Sequence, residues 1–108
     1  MTARKRSRQH VERFNAAVRS GDWDEFLATL APEAVMSFDG VPVGPFVGRD
    51  AIAVAYETNP PTDTMEIRDV EIDSDAEIVR FAWSKGGTGT LTIRRGAGGI
   101  TKLAVRFD

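Results

Sequence analysis

The sequence predicts an α+β domain with helices packed on one face of a curved antiparallel sheet. Three observations lead there. Apolar residues at helical spacing are confined to the first half of the chain, and strand-like runs fill the second half. The glycine turns "KGGTG" and "GAGG" then cut that second half into segments that pair as hairpins. The 108 residues allow one domain, and an apolar content of 42% is enough for a single core.

Val11, Phe14, Ala17 and Val18 fall at helical spacing, which predicts a first helix over residues 8–20 behind a flexible basic tail over 1–7. Gly21 suits the left-handed position that closes a helix, and Asp22 with Glu25 resembles a capping box for the next one. Trp23, Phe26, Leu27 and Leu30 form the apolar stripe of that short second helix, with Trp23 as core packing, and Pro32 stops it. "AVMSF" reads as a short strand and "DGVPVGPFVG" as a loop, since it is dense in glycine and proline. A third helix over 49–58 carries Ile52, Ala55 and Tyr56 on one face, and "NPP" breaks it. Four strands follow as a meander: "MEIRDVEI", "EIVRFAWS", "TLTIRR" and "ITKLAVRF". Val79, Phe81 and Trp83 share one face, as do Leu103, Val105 and Phe107.

Composition removes several classes of function. A net charge of −2 is too small to steer a charged partner. With no cysteine there are no disulfides, thiolate metal sites or cysteine nucleophile, and one histidine, His10, cannot build a multi-histidine metal site. His10 stands alone in a polar helix start and is expected to be exposed. The run "ARKRSR" reads as a solvated tail, and the glycine-rich turns join strands rather than open helices, so neither is a phosphate site. No apolar run approaches the roughly 20 residues that span a bilayer, and no apolar stretch follows "MTARKRSRQH" to make a secretory signal. The expectation is a cytoplasmic protein with no cofactor, no nucleic-acid partner and no membrane partner.

Three stretches, "VERFNAAVRSGDWDEFLATLAPEAVMSFDG", "VGRDAIAVAY" and "GAGGITKLAVRF", together resemble the nuclear-transport-factor-two-like superfamily. That superfamily includes ketosteroid isomerases, SnoaL-like polyketide cyclases and limonene-type epoxide hydrolases. The resemblance implies a cone-shaped fold over residues 8–108: a curved antiparallel sheet with three N-terminal helices on its concave face. It says little about reaction, because one scaffold hosts many chemistries. The isomerase branch uses an aspartate base with a tyrosine and a protonated aspartic acid as oxyanion donors. Aligned on "SGDWD" and "GAGG", those positions fall on Phe38, Phe14 and near Thr90. None matches, so the resemblance implies a member without isomerase chemistry. Tyr56 does match a supporting tyrosine of that branch. The epoxide-hydrolase branch needs an Asp–Arg–Asp set; Arg80, Arg94 and Arg106 are available, but no two aspartates share an inner face, and the acids from 63 to 77 read as solvated.

The candidate catalytic residues are Asp39 and Tyr56. Asp39 lies one residue past the base position and would enter the cone if the strand bulged; otherwise it is the first residue of an Asp-Gly turn. Tyr56 either orients a ligand through its hydroxyl or is a helix-face aromatic that reaches water. Phe14, Phe38, Phe81, Trp83, Leu103 and Phe107 are the candidate ligand-binding residues, unless such large side chains simply fill the core. Arg80 is expected on the surface. In "TLTIRR" the alignment turns Thr90 inward, whereas apolarity prefers Leu91 and Ile93. Two functions follow. One is a small hydrophobic molecule held in the cone, with or without turnover. The other is a non-catalytic module that forms a homodimer through the outer face of the sheet, where residues such as Ile78 add apolar surface.

Overall fold

In the computed structural model, which describes residues 2–108, helix α1 spans Ala3–Ser20. Thr2 caps it by accepting a hydrogen bond from the Lys5 amide. Gly21 closes it in the left-handed conformation (φ 79°), its amide donating to the Ala17 carbonyl. The basic run expected as a flexible tail is thus helical from residue 3. The reason is that the inward stripe begins a turn earlier than its first apolar residue: Ser7, His10, Val11, Phe14 and Ala17 are all buried. His10, expected exposed, is only 3% exposed.

The second helix is shorter than its stripe suggested. Asp22 accepts a hydrogen bond from the Asp24 amide, but α2 is a single turn, Asp24–Leu27. Leu30 and Pro32 belong instead to strand β1, Leu30–Asp39. Proline survives there because the strand's pairing shifts register between Leu30 and Val35, an irregularity that spares the amide proline lacks. Within the segment expected to be loop, Phe46–Val47 form a short strand β2 antiparallel to β1. Helix α3 then covers Arg49–Thr58.

Strands β3 (Met65–Asp73), β4 (Ala76–Trp83), β5 (Thr88–Gly96) and β6 (Gly99–Phe107) make the expected antiparallel meander. The full sheet has six strands in the order β2-β1-β6-β5-β4-β3, with β1 parallel to β6. The sheet is therefore mixed rather than wholly antiparallel, and it stays open, with β2 and β3 at its edges. Helix α1 packs on β3 and β4, and α3 on β1 and β2, so both cover the same concave face. On β5 the inward residues are Leu91 and Ile93, at 2% and 0% exposure, which settles the orientation in favour of apolarity over alignment. Among the described residues no helix is long and apolar enough to cross a membrane.

Candidate functional site

Between the concave face and the two long helices lies a half-open cavity of about 790 Å³. Its walls come from strand residues that alternation aims inward: Met36 and Phe38 on β1, Trp83 on β4, Leu91 on β5, and Leu103, Val105 and Phe107 on β6. Helix α1 contributes His10 and Phe14, and α3 contributes Ala51, Ala55 and Tyr56. Around the mouth stand Val43 and Val54, 49% and 59% exposed, with Asn59, Thr62 and Asp63. The rings of Phe38 and Trp83 both stack on Phe107, at centroid separations of 6.2 Å each, so the wall is a continuous aromatic surface.

Five of the six candidate ligand-binding residues reach this wall: Phe14, Phe38, Trp83, Leu103 and Phe107. Phe81 does not. It pairs across the sheet with Gly89, and its ring lies over that glycine so closely that a Cβ there would sit 2.7 Å from the Phe81 Cζ. The ring is thus spent on the sheet's own packing and on an edge contact with Trp83 at 4.9 Å.

Of the two candidate catalytic residues, the structure brings one to the cavity. Tyr56 is buried, stacked on Trp23 at 4.3 Å, and its hydroxyl donates to the Met36 sulfur at 3.1 Å, so it does not reach water. Burial raises its pKa well above that of an ordinary tyrosine and keeps the hydroxyl protonated. Asp39 is exposed at the end of β1 and stays in register with Arg106, with no bulge beside it. Phe38 points into the cavity, so its neighbour points out, and the carboxylate is not part of the cavity wall. The turn reading is the one the geometry fits.

Two polar elements on the inner face were missed from the sequence. The first is His10. Its Nδ1 is buried with no hydrogen-bond partner among the described residues, and its ring packs against Phe26 at 5.1 Å. Burial, then the positive charges of Arg95 and Arg13, push its pKa down to about 3, so the imidazole is neutral. The second is Glu77, which lies on the inward face of β4 and is 3% exposed, unlike the solvated acids around it. Its Oε2 accepts from Arg95 Nε at 2.7 Å, while Oε1 accepts from Ser7 Oγ at 2.8 Å and Arg95 Nη2 at 3.2 Å. Arg80, as expected, is on the surface, paired with Glu71 and Asp69. A signal for both existed: positions 77, 79, 81 and 83 share a strand face, and positions 7, 10, 11 and 14 share a helix face. Among the described residues no cluster of three or more His, Cys, Asp or Glu could hold a metal ion.

A curved open sheet wrapped around helices, with an apolar hollow between them, defines the architecture of the nuclear-transport-factor-two-like fold. Residues 11–101 match the family model described as a SnoaL-like domain, and the chain belongs to that family. No curated protein matches the sequence. Solved structures align over almost the whole chain. A candidate isomerase from Bacillus subtilis superposes with a TM-score of 0.78 at 16% identity, covering 100% of this chain and 90% of its own. A nuclear-transport-factor-two-like protein of unknown function from Cytophaga hutchinsonii gives 0.72 at 16% identity, covering 94% and 88%. A candidate polyketide cyclase from Sinorhizobium meliloti gives 0.68 at 23% identity, covering 90% and 93%. At these identities the likeness is one of fold.

Proposed function

We propose that this SnoaL-like domain binds a small apolar molecule in the cavity, with Phe14, Phe38, Trp83, Leu103 and Phe107 as its walls and Tyr56 as a polar contact. The observation that carries the reading is the cavity itself. Its volume of about 790 Å³ falls in the range of small-molecule sites, and its aromatic wall with few polar groups is how such sites are built. A core designed only for packing would leave no void of this size. Phe14 and Phe38 stand on the wall without a donor or a base between them, which supports a role other than steroid isomerisation.

Fluorescence titration with the apolar probe N-phenyl-1-naphthylamine tests this reading. Saturable binding is expected, weakened about tenfold by Trp83→Ala through lost apolar contact. Ala55→Trp should plug the cavity and abolish binding without unfolding the domain. Unaltered probe binding in both variants would sink the proposal.

A second reading, a homodimer through the convex face, has its own support. Ile78, Thr92, Ala104 and Ser37 lie in register across β4, β5, β6 and β1, and form a half-buried strip of small and apolar residues. The next row, Arg80, Thr90, Arg106 and Asp39, carries both signs of charge. A two-fold partner would cover such a strip with a copy of itself. Sedimentation should then show a dimer that Ala104→Glu converts to monomer; a wild-type chain that stays monomeric at high concentration excludes it.

A further inference from the structure

Two parts of the cavity's rim present apolar side chains to water. Val43 belongs to the segment between β1 and β2, and Val54 to α3. Both line the cavity, yet they are 49% and 59% exposed. Val41, in the same segment as Val43, is exposed as well. Apolar surface of this kind is unfavourable in water and becomes favourable once covered.

Residues 40–45 have the make-up of a hinged strap. At one end β1 is fixed to β6 as far as Asp39, which is in register with Arg106. At the other, Phe46 and Val47 pair with Met36 and Val35, and the Gly48 amide donates to the Ala34 carbonyl at 2.7 Å. Between these anchors, among the described residues, the strap's one backbone hydrogen bond is internal, from the Val43 amide to the Val41 carbonyl at 2.9 Å. Pro42 and Pro45 have no amide hydrogen with which to tether it. Gly40 and Gly44 bracket Val41, Pro42 and Val43, with φ of 93° and 76°, a region other residues enter only under strain. A Cβ on Gly40 would meet nothing closer than the Phe107 carbonyl oxygen at 3.6 Å, so glycine serves conformation there rather than lack of room. An exposed segment with so few hydrogen bonds opens at low cost, and a few loop residues that absorb the φ/ψ change are what a hinge requires.

We infer, taking the cavity as the pocket proposed above, that residues 40–45 are a lid. When an apolar ligand occupies the cavity, the strap turns about Gly40 and Gly44, and Val43 closes over the ligand to meet Val54 on α3. The cover belongs to this chain, so closure needs no partner. Phe46, held by the pairing of β2 and packed edge-on against Phe38 at 6.3 Å, stays in the wall while the strap moves. A ligand favours the closed form only through contacts that the open form lacks. Here those are its contacts with Val43, together with the shielding of Val54 from water. Entry precedes closure and release waits for reopening, so weakening the lid speeds dissociation and leaves association alone.

The sequence contains no cysteine, so a Val43→Cys/Val54→Cys pair supplies the chain's only thiols. Side chains that meet across the mouth come within disulfide reach, about 4.4–6.8 Å between Cα atoms. The probe is N-phenyl-1-naphthylamine and the oxidant is oxidised glutathione. Saturating probe should speed disulfide formation about fivefold or more, as the closed form gains population. Probe trapped behind the disulfide should leave about a hundredfold more slowly than from the reduced pair, because reopening is blocked. The two single-cysteine variants set the background rate of reaction with glutathione. Separately, Val43→Ser, at an exposed position, should raise the dissociation rate about tenfold in stopped flow with association unchanged. Disulfide formation that bound probe leaves unchanged or slows overturns the lid and leaves the pocket standing, as does equally fast release from the oxidised and reduced pair. Unaltered dissociation in Val43→Ser overturns it as well. Failure of the probe to bind wild type removes both lid and pocket.

Discussion

In urea, Arg95→Leu is expected to lose about 3–5 kcal/mol of stability, the usual result of leaving one member of a buried ion pair alone. A domain of this kind has only about 5–15 kcal/mol to lose. The expectation follows from where each partner sits. The Glu77 side chain is 4% exposed, whereas that of Arg95 is 23% exposed. Without Arg95, the carboxylate keeps one donor, Ser7 Oγ, and cannot move into water from the inward face of β4. Without Glu77, the guanidinium can still reach solvent, so Glu77→Leu should be the milder change, about 1–3 kcal/mol. The double variant should recover most of the loss, because two apolar side chains replace the pair and the single Ser7 hydroxyl proton can turn to the Ala3 carbonyl, within reach at 3.1 Å. A double-mutant cycle by chemical denaturation reads all three values. Additive single losses would mean that the two residues are not coupled. The pair also links the first turns of α1 to β4 and β5, so fraying of residues 3–10 should accompany its removal.

That ion pair shows why part of the structure was legible in the sequence and part was not. Alternation in "EIVRFAW" put Val79, Phe81 and Trp83 on one face, and in "TLTIRR" apolarity favoured Leu91 and Ile93 against the Thr90 of the alignment; the structure buries Val79, Phe81, Leu91 and Ile93. The same alternation puts Glu77 and Arg95 inward as well, but charge alone argues for solvent. Only the two strands laid side by side show that each charge has a partner. His10 was misjudged in the same way, since a helix stripe that opens with serine and histidine carries no apolar signal. The parallel pairing of β1 with β6 joins segments more than sixty positions apart, and local patterns do not report on it. Pro32 was read as a helix stop, a fair local rule that a register shift overrides. For the site, the wall was legible because five of its residues sit on inward strand or helix faces. Phe81 was lost from it through a contact with Gly89 that depends on cross-strand register.

Stability should fall with acid more steeply in the wild type than in His10→Leu, and His10 is the reason. In the folded chain its pKa is pushed down to about 3, against an ordinary value of 6.5. Below pH 6.5 the unfolded chain takes up a proton at this position while the folded chain does not. The unfolded state then binds more protons, so stability rises with pH across that window and is lost as pH falls through it. The contribution is complete above about pH 6.5 and declines by roughly 1.4 kcal/mol per pH unit toward pH 3. The groups that face His10 hold this direction: Arg95 from β5 and Arg13 on α1 both oppose a positive imidazole, and Glu77 from β4 is already engaged by Arg95. Carboxylates titrate in the same range, but wild type and His10→Leu share them, so the difference between the two curves isolates the histidine. Denaturant melts at pH 7 and pH 4 should show the variant gaining about 3 kcal/mol on the wild type. Parallel curves would mean that the imidazole reaches water or finds a counter-ion in the folded state, contrary to a buried and neutral His10.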